Sequence, residues 1–159
     1  NSVMITRSPN IKVPIIKNGL VSEILLIFER NNKKVIFFDI PGAFTPTCSE
    51  KHFPGYLKLY DKFKYCNIDE IYCLSVNDQY VMISWLNSYP ENNKIIGIAD
   101  GNADIAKYFN LISDKSKNYM GIRSTRFAMI IENNLIIKTY IEKPGNLSVS
   151  TAEYILKEL

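Results

Sequence analysis

Cys48 is the residue in this sequence best suited to nucleophilic chemistry. It ends the segment Pro41-Gly-Ala-Phe-Thr-Pro-Thr-Cys48, which leads from an apolar run directly into a helical pattern. A cysteine in the first turn of a helix faces free N–H groups and the positive end of the helix dipole, and both stabilise a thiolate. The thiolate is the form that attacks electrophilic oxygen or sulfur. Buried structural cysteines are common, so the cysteine alone does not indicate a catalytic role. The loop before it favours one, because it is made rigid by two prolines, a glycine and two threonines.

Four other residues of the sequence could assist Cys48. The hydroxyl of Thr45, three residues earlier, can cap the helix or form a hydrogen bond to the cysteine sulfur. His52 lies one turn later on the same helical face, where we expect a supporting hydrogen bond rather than an essential base. Arg123 and Arg126 are rival candidates for a fixed cation near the thiolate, and each could equally form a surface ion pair.

The remaining cysteines, Cys66 and Cys73, do not form a recognisable framework with Cys48. Three cysteines at unequal spacing are not typical of a disulfide-stabilised secreted domain, and the sequence has no Cys-x-x-Cys. With one histidine a zinc site is not expected, and no metal or other cofactor is predicted. Reduced thiols in a reducing compartment are the simpler interpretation.

Length and charge exclude several classes of function. A chain of 159 residues predicts a single domain over residues 1–159. The net charge is +3, with 19 basic and 16 acidic residues mixed along the length, so neither nucleic acid nor a membrane surface is an expected partner. No apolar run approaches the roughly 18 residues that span a bilayer. Because the sequence begins with Asn1, we expect a trimmed N-terminus and a location in the cytoplasm or in a plastid-like or mitochondrial organelle.

The elements that must position Cys48 alternate between strands and helices. Short apolar runs predict buried strands, and apolar residues at three- and four-residue steps predict helices, with Pro54 kinking the helix that follows Cys48. The predicted strands are 35–40, 71–76, 95–99 and a hairpin of 127–131 with 135–141. The predicted helices begin near Cys48, at the cap Asn77-Asp78, after the turn Asp100-Gly101 and at the capping box Ser150-x-x-Glu153. Residues 11–16 predict a strand with Pro14 at an edge, and Ser22 predicts the cap of a short helix to about Glu29. This order predicts an α/β protein of thioredoxin-like fold, with a mixed central sheet and helices on both faces.

The segment from Pro41 to Tyr56 resembles the active-site signature of the type II (peroxiredoxin V, atypical) peroxiredoxins. Further stretches recur in the family's order, namely Cys73-Leu-Ser-Val-Asn-Asp-x-x-Val-Met82, Ala99-Asp-Gly101, Arg126-Phe-Ala128 and Ser150-x-Ala152. The resemblance covers roughly residues 33–159. One narrower resemblance is to the apicomplexan one-cysteine antioxidant proteins of this family.

The resemblance implies a thiol-dependent peroxidase in which Cys48 attacks the peroxide O–O bond and becomes a sulfenic acid. Thr45 would then orient peroxide and thiolate, and Arg126, favoured over Arg123 by the family's Arg-Phe pairing, would stabilise the charge on the leaving oxygen. Pro41, Phe44 and Thr47 are expected to line the substrate pocket, with Pro41 shielding it from water. A homodimer is expected from the family.

How the sulfenic acid is reduced is left open by the sequence. The animal-like branch has a second cysteine before the last helix, where this chain has Asn146-Leu-Ser-Val-Ser150, and a plant-like branch has one at the position of Cys73. Cys73 lies in a predicted strand, where a small core residue is the commoner interpretation. We therefore favour a one-cysteine mechanism, with the sulfenic acid reduced by glutathione, glutaredoxin or thioredoxin.

Three other functions could use a cysteine in this position. A thiol–disulfide oxidoreductase of the same fold would require Cys-x-x-Cys, of which Thr45-x-x-Cys48 supplies one cysteine. A non-enzymatic redox sensor would use Cys48 without turnover. A cysteine hydrolase is disfavoured because its base would have to be His52, one turn away on the same helix.

Overall fold

A mixed sheet forms the centre of the protein, whose computed structural model describes residues 6–25, 33–91 and 93–159. In sequence order the strands of this sheet are β1 (Lys12–Lys17), β2 (Leu20–Leu25), β3 (Lys34–Asp39), β4 (Glu70–Ser75), β5 (Ile96–Ala99), β8 (Phe127–Glu132) and β9 (Leu135–Ile141). A separate small hairpin consists of β6 (Ile112–Asp114) and β7 (Ile122–Ser124). The strand order in the large sheet is β2-β1-β5-β4-β3-β8-β9, parallel for β5-β4-β3 and antiparallel elsewhere.

Helices cover both faces of this sheet. In chain order they are α1 (Phe53–Lys58), α2 (Tyr60–Tyr65), α3 (Gln79–Asn87), α4 (Asp104–Tyr108) and α5 (Ala152–Lys157). One apolar cluster joins β3 and β4 to α1, α2, α3 and α5, with Tyr56 and Trp85 fully buried. A second cluster packs α4 against the opposite face through Ile105 and Phe109. The predicted thioredoxin-like fold, with a mixed sheet between helical layers, is confirmed.

The N-terminal hairpin corrects two predictions. Asn18 and Gly19 both have positive φ, 53° and 74°, and form a tight turn between β1 and β2. Positive φ at both central residues matches the twist of a two-residue hairpin, so Ser22 lies in a strand and does not cap a helix. The remainder of that predicted helix, from residue 26, lies outside the described residues. The strand that carries Pro14 is not at the edge either, because β1 pairs with β2 on one side and with β5 on the other.

The helical segment after Cys48 is divided rather than merely kinked. Residues Cys48–His52 form a π-helical turn, in which the N–H of Phe53 donates to the carbonyl of Cys48. Pro54 then falls at the start of α1, where a missing N–H costs least. A second interruption at Leu59 separates α1 from α2. The wide turn therefore accommodates the proline and starts a new helix directly after the cysteine segment.

The remaining helix and turn predictions are confirmed, except that the cap of one helix lies one residue later than predicted. Asp78 caps α3 by accepting a hydrogen bond from Val81, and Asn133 and Asn134 supply the positive φ of the β8–β9 turn. The cap of α5 is Thr151 rather than Ser150, because the Thr151 hydroxyl accepts from the N–H of Tyr154. Among the described residues, no helix is long and apolar enough to cross a membrane.

Candidate active site

Cys48 lies where the chain turns from the end of β3 into the π-helical turn. The N–H of Ser49 donates to the carbonyl of Thr45 over 2.9 Å, so Cys48 is in the first helical turn after the loop. Its side chain is buried, with 1% exposure. Ser49 is held from the other side by Trp85, whose Nε1 donates to the Ser49 hydroxyl at 2.9 Å, and by Tyr89, whose hydroxyl donates to the Ser49 carbonyl at 2.7 Å. The cysteine is thus fixed in position on a well-anchored turn.

A guanidinium group contacts the Cys48 sulfur directly. Arg126 precedes β8, and its NH2 group donates to Cys48 Sγ at 3.2 Å. The second terminal nitrogen, NH1, lies 2.7 Å from Nδ1 of His52. An always-charged donor at this distance favours a negative charge on sulfur and can also hold an oxygen bound to it.

His52 is an acceptor for this arginine, because its two ring nitrogens have different partners. Nε2 lies 2.9 Å from the carbonyl of Ser150, which can only accept, so Nε2 carries the proton and Nδ1 is free to accept from Arg126. Burial, and then the charge of Arg126, lower the pKa of His52 to about 4. The ring is therefore neutral at physiological pH, and its lone pair is directed at the arginine rather than at Cys48.

Ser150 connects this arginine to the segment before α5. Its carbonyl also accepts from the Tyr56 hydroxyl at 2.7 Å, while its own N–H and hydroxyl donate to Glu142 at 2.9 and 2.7 Å. Glu142, Ser150, His52, Arg126 and Cys48 thus form a continuous series of hydrogen bonds. The sequence signalled Ser150 only as a helix cap and did not signal Glu142 at all.

Arg123, the rival arginine, serves the loop and not the sulfur. Its Nε donates to the carbonyl of Met120 at 2.9 Å, and its NH1 reaches the carbonyls of Pro41 at 3.4 Å and Val76 at 3.3 Å. Gly42 allows this close approach, because a Cβ there would lie 3.2 Å from Met120 Cε and 3.3 Å from Arg123 NH1. Arg123 therefore cross-links the cysteine loop to the end of β4.

The Thr45 hydroxyl has a different partner from the two that were expected. It donates to the carbonyl of Gly42 at 2.6 Å, which tightens the loop in front of Cys48. Its oxygen keeps acceptor capacity, but no hydrogen bond to the Cys48 sulfur is formed. Thr45 is brought near the cysteine by the loop rather than by a direct bond.

A cavity of about 170 Å³ opens beside the site, and Pro41, Thr47 and Arg126 contribute to its wall. Phe44, also predicted for the substrate pocket, does not line this cavity. It is 56% exposed at a positive φ of 66°, and Tyr80 is 75% exposed. Trp85, by contrast, is fully buried.

The other cysteines are free thiols in contrasting places. Cys73 lies on β4 in the same apolar cluster as Cys48, and burial above all raises its pKa well above the usual value for a thiol. Cys66 is exposed at the C-terminal end of α2. Neither is bonded to Cys48.

A buried acid lies at the end of β3, close to the cysteine loop. Asp39 is fully buried, and one carboxyl oxygen accepts a hydrogen bond from the Ser124 hydroxyl. The other oxygen, Oδ2, has no hydrogen-bond partner in the described part of the chain. Burial raises the pKa of Asp39 well above its usual value. Among residues 6–25, 33–91 and 93–159, no group of three or more histidine, cysteine or acidic side chains could hold a metal ion.

Comparison with known proteins decides the family. Residues 27–156 match the redoxin family. Peroxiredoxin-2C of Arabidopsis thaliana is 45% identical over 127 residues, which cover 80% of this chain and 78% of the relative. This chain belongs to the peroxiredoxins. The resemblance to the type II (peroxiredoxin V) group is thereby confirmed, and this peroxiredoxin is a thiol-dependent peroxidase.

Solved peroxiredoxins share the whole fold. Reduced Prx3 of Vibrio vulnificus, whose structure was solved in complex with hydrogen peroxide, aligns with a TM-score of 0.88 at 37% identity and covers 96% of this chain and 95% of its own. The antioxidant protein of Plasmodium falciparum, a 1-Cys peroxiredoxin, aligns with a TM-score of 0.87 at 38% identity, covering 96% and 95%. This peroxiredoxin therefore has the family's architecture along nearly its full length.

Proposed function

We propose that Cys48 is the peroxidatic cysteine of this enzyme. Its thiolate attacks one oxygen of hydrogen peroxide or an alkyl hydroperoxide, forming an S–O bond while the O–O bond breaks. The other oxygen leaves with the bonding electron pair and takes a proton from solvent. Cys48 is thereby oxidised by two electrons to a sulfenic acid, and the peroxide is reduced to water or an alcohol.

The contact between Arg126 and Cys48 is the observation that carries this proposal. At 3.2 Å the guanidinium stabilises the thiolate, and it lies close enough to bind the leaving oxygen as charge develops on it. His52 accepts from NH1 of the same group and keeps its plane fixed, so His52 acts as a positioning residue. Thr45 and Pro41 shape the loop in front of the sulfur, where Thr45 has acceptor capacity for the peroxide O–H and Pro41 limits water.

We further propose a one-cysteine mechanism. Cys73 is fully buried, and its raised pKa keeps it a neutral thiol, which is a poor nucleophile toward a sulfenic acid. Cys66 is exposed and follows α2, away from the described hydrogen bonds of Cys48. An external thiol, glutathione, glutaredoxin or thioredoxin, therefore restores Cys48. The compartment, cytoplasm or an organelle, stays a prediction.

We also propose a homodimer, supported by exposed apolar side chains on the segments around the cysteine loop. Phe44 is 56% exposed, Tyr80 75% and Tyr119 98%. Isolated apolar groups on a surface are ordinary, but large aromatic side chains around one loop are typical of an interface. Sedimentation of the wild type and of Phe44→Asp tests this, and a wild-type monomer at micromolar concentration would contradict it.

Rapid mixing of the reduced protein with hydrogen peroxide and an alkyl hydroperoxide tests the peroxidase mechanism. Fluorescence of Trp85 is the signal, because its indole N–H is bonded to the neighbour of Cys48. We expect a reaction far faster than that of free glutathione, abolished in Cys48→Ser and retained in the matched control Cys73→Ala. Mass spectrometry of the oxidised enzyme should show a sulfenic acid at Cys48, or a glutathione adduct when glutathione is present.

Two outcomes would contradict these proposals separately. A wild type no faster than free glutathione would leave Cys48 without a peroxidatic role and favour a disulfide reductase or a redox sensor. A fast reaction that ends in a Cys48–Cys73 disulfide would keep the peroxidase and overturn the one-cysteine mechanism.

A further inference from the structure

The cavity beside Thr47 and Arg126 has a positively charged wall away from the cysteine. Its lining includes Lys115, which follows β6, and Lys143, which follows β9. Lys115 is partly buried and Lys143 is exposed. In the part of the chain that the structure describes, neither ammonium group forms an ion pair with a carboxylate. Both charges are therefore available to a ligand in the cavity.

The one carboxylate that lines the same cavity does not cancel these charges. Both oxygens of Glu142 already accept from Ser148 and Ser150, with the backbone N–H groups at 2.8 and 2.9 Å and the hydroxyls at 3.2 and 2.7 Å. Burial of Glu142 opposes its negative charge, but the hydrogen bonds from Ser150 and Ser148 outweigh it and lower the pKa of Glu142. The negative charge of Glu142 is thus already bound by the segment before α5. The charges that remain free at the cavity are those of Lys115 and Lys143.

The size of the cavity restricts what can enter. At about 170 Å³ it is smaller than the roughly 300–1,000 Å³ of ordinary ligand pockets, so it can take one end of a small peptide. The cavity adjoins Thr47, the residue before Cys48, and Arg126, whose guanidinium contacts the Cys48 sulfur. A ligand that reduces the oxidised cysteine from here needs a thiol. Carboxylates on that ligand would match Lys115 and Lys143.

We propose that this cavity binds the reducing thiol, a small peptide thiol carrying carboxylates such as glutathione, with Lys115 and Lys143 contacting its carboxylates. The inference rests on the proposed peroxidatic role of Cys48. Because Cys48 is 1% exposed, the first turn must open toward Thr47 for the two sulfur atoms to meet. The thiolate of glutathione then attacks the sulfenic sulfur, an S–S bond forms, and hydroxide leaves and is protonated to water. A second glutathione attacks the glutathione sulfur of this mixed disulfide, which restores the Cys48 thiolate and releases glutathione disulfide.

The test separates the reduction step from the peroxide step in the double variant Lys115→Glu/Lys143→Glu. Each protein is oxidised with one equivalent of hydrogen peroxide and then mixed with glutathione, glutathione diethyl ester or 2-mercaptoethanol, with Trp85 fluorescence as the signal. The matched control is Lys58→Glu/Lys107→Glu, which changes the net charge equally at exposed positions on α1 and α4.

Charge reversal should lower the second-order rate with glutathione by about tenfold or more and weaken its dependence on ionic strength. The rate with 2-mercaptoethanol and the rates of the control variant should change by less than about twofold, and the rate with the diethyl ester, which keeps only its ammonium charge, should not fall. Mass spectrometry should find the glutathione adduct on Cys48 in the wild type.

Three outcomes would overturn the inference. The first is an unchanged glutathione rate. The second is an equal fall for the two thiols that lack carboxylates, because the lysines would then act on Cys48 itself. The third is a wild type reduced by thioredoxin or glutaredoxin but not by glutathione. In all three a normal reaction with hydrogen peroxide leaves the peroxidase proposal standing, whereas loss of that reaction in the wild type removes both.

Discussion

Cys48 and Cys73 occupy the same apolar cluster and are almost equally buried, with 1% and 0% exposure, yet their surroundings are opposite. Cys48 has a guanidinium nitrogen 3.2 Å from its sulfur and sits at the start of a helical segment. Cys73 lies in the middle of a strand, and burial, with a further contribution from the charge of Asp39, raises its pKa. Burial alone therefore makes a thiol inert. A buried thiol becomes reactive where a charged donor reaches the sulfur at the start of a helical segment.

Removing the guanidinium donor of Arg126 should make Cys48 resemble the unreactive Cys73. This is the largest effect on the peroxide reaction that we expect. Arg126→Gln should slow the reaction with hydrogen peroxide by about 10²–10³-fold, because both thiolate and transition state lose their charged donor. Stopped-flow fluorescence of Trp85 measures this rate.

Arg123→Gln is the matched control for that experiment. It removes a guanidinium that binds the carbonyls of Met120, Pro41 and Val76 but not the sulfur. It should lower the unfolding midpoint and slow the peroxide reaction by less than about tenfold, since the loss is of loop contacts. If both arginine variants lose equal rate, the contact at the sulfur is not what distinguishes Cys48.

The difference between Cys48 and Cys73 also depends on His52, whose effect on stability changes with pH. Its pKa is about 4 in the folded protein and near 6.5 when unfolded, so unfolding takes up a proton between these values. The contribution of neutral His52 to the free energy of unfolding is therefore complete above pH 6.5. It is lost as the pH falls toward 4, and the total loss is about 3 kcal/mol. Urea unfolding of wild type and His52→Gln at pH 4.5 to 7.5 should show that the glutamine variant lacks this part of the acid dependence.

The His52→Gln variant also shows whether His52 positions Arg126 or only stabilises the fold. A glutamine can still accept from Arg126, whereas His52→Leu cannot. We expect His52→Leu to slow the peroxide reaction more than His52→Gln does, even at equal stability. Parallel stability curves for wild type and His52→Gln would contradict the assignment of a neutral buried histidine.

Much of this arrangement could be predicted from local sequence, because local chemistry determines it. Asn133 and Asn134 indicated the β8–β9 turn, and Asp78 indicated the start of α3. The same logic, applied to Asn18-Gly19, would have indicated the first hairpin instead of a helix at Ser22. This turn signal is present in the sequence itself.

Other features depended on tertiary contacts that no local pattern contains. Arg123 lies in β7 and Arg126 follows three residues later, just before β8, and only the fold decides which one reaches Cys48. Lys115 and Lys143 lie far apart in sequence and meet at one cavity through the small β6–β7 hairpin and the end of β9. The hydroxyl of Ser150 donates to Glu142, 8 residues earlier in the sequence, and the hydroxyl of Thr151 caps α5 instead.

The smallest effect on catalysis should come from substitution of Cys73. It tests the comparison of the two cysteines at the unreactive one. Cys73→Ala should leave the peroxide reaction within about twofold while lowering the free energy of unfolding by roughly 1–2 kcal/mol, because a small cavity replaces a packed sulfur. Cys73→Ser should cost more stability, since the cluster around it offers a hydroxyl mainly apolar neighbours. Urea unfolding and stopped-flow fluorescence measure the two quantities on the same samples. If Cys73→Ala instead accumulates sulfenic acid and reacts again only slowly in the presence of glutathione, Cys73 resolves the oxidised enzyme. The inertness of its strand position would then hold only until Cys48 is oxidised.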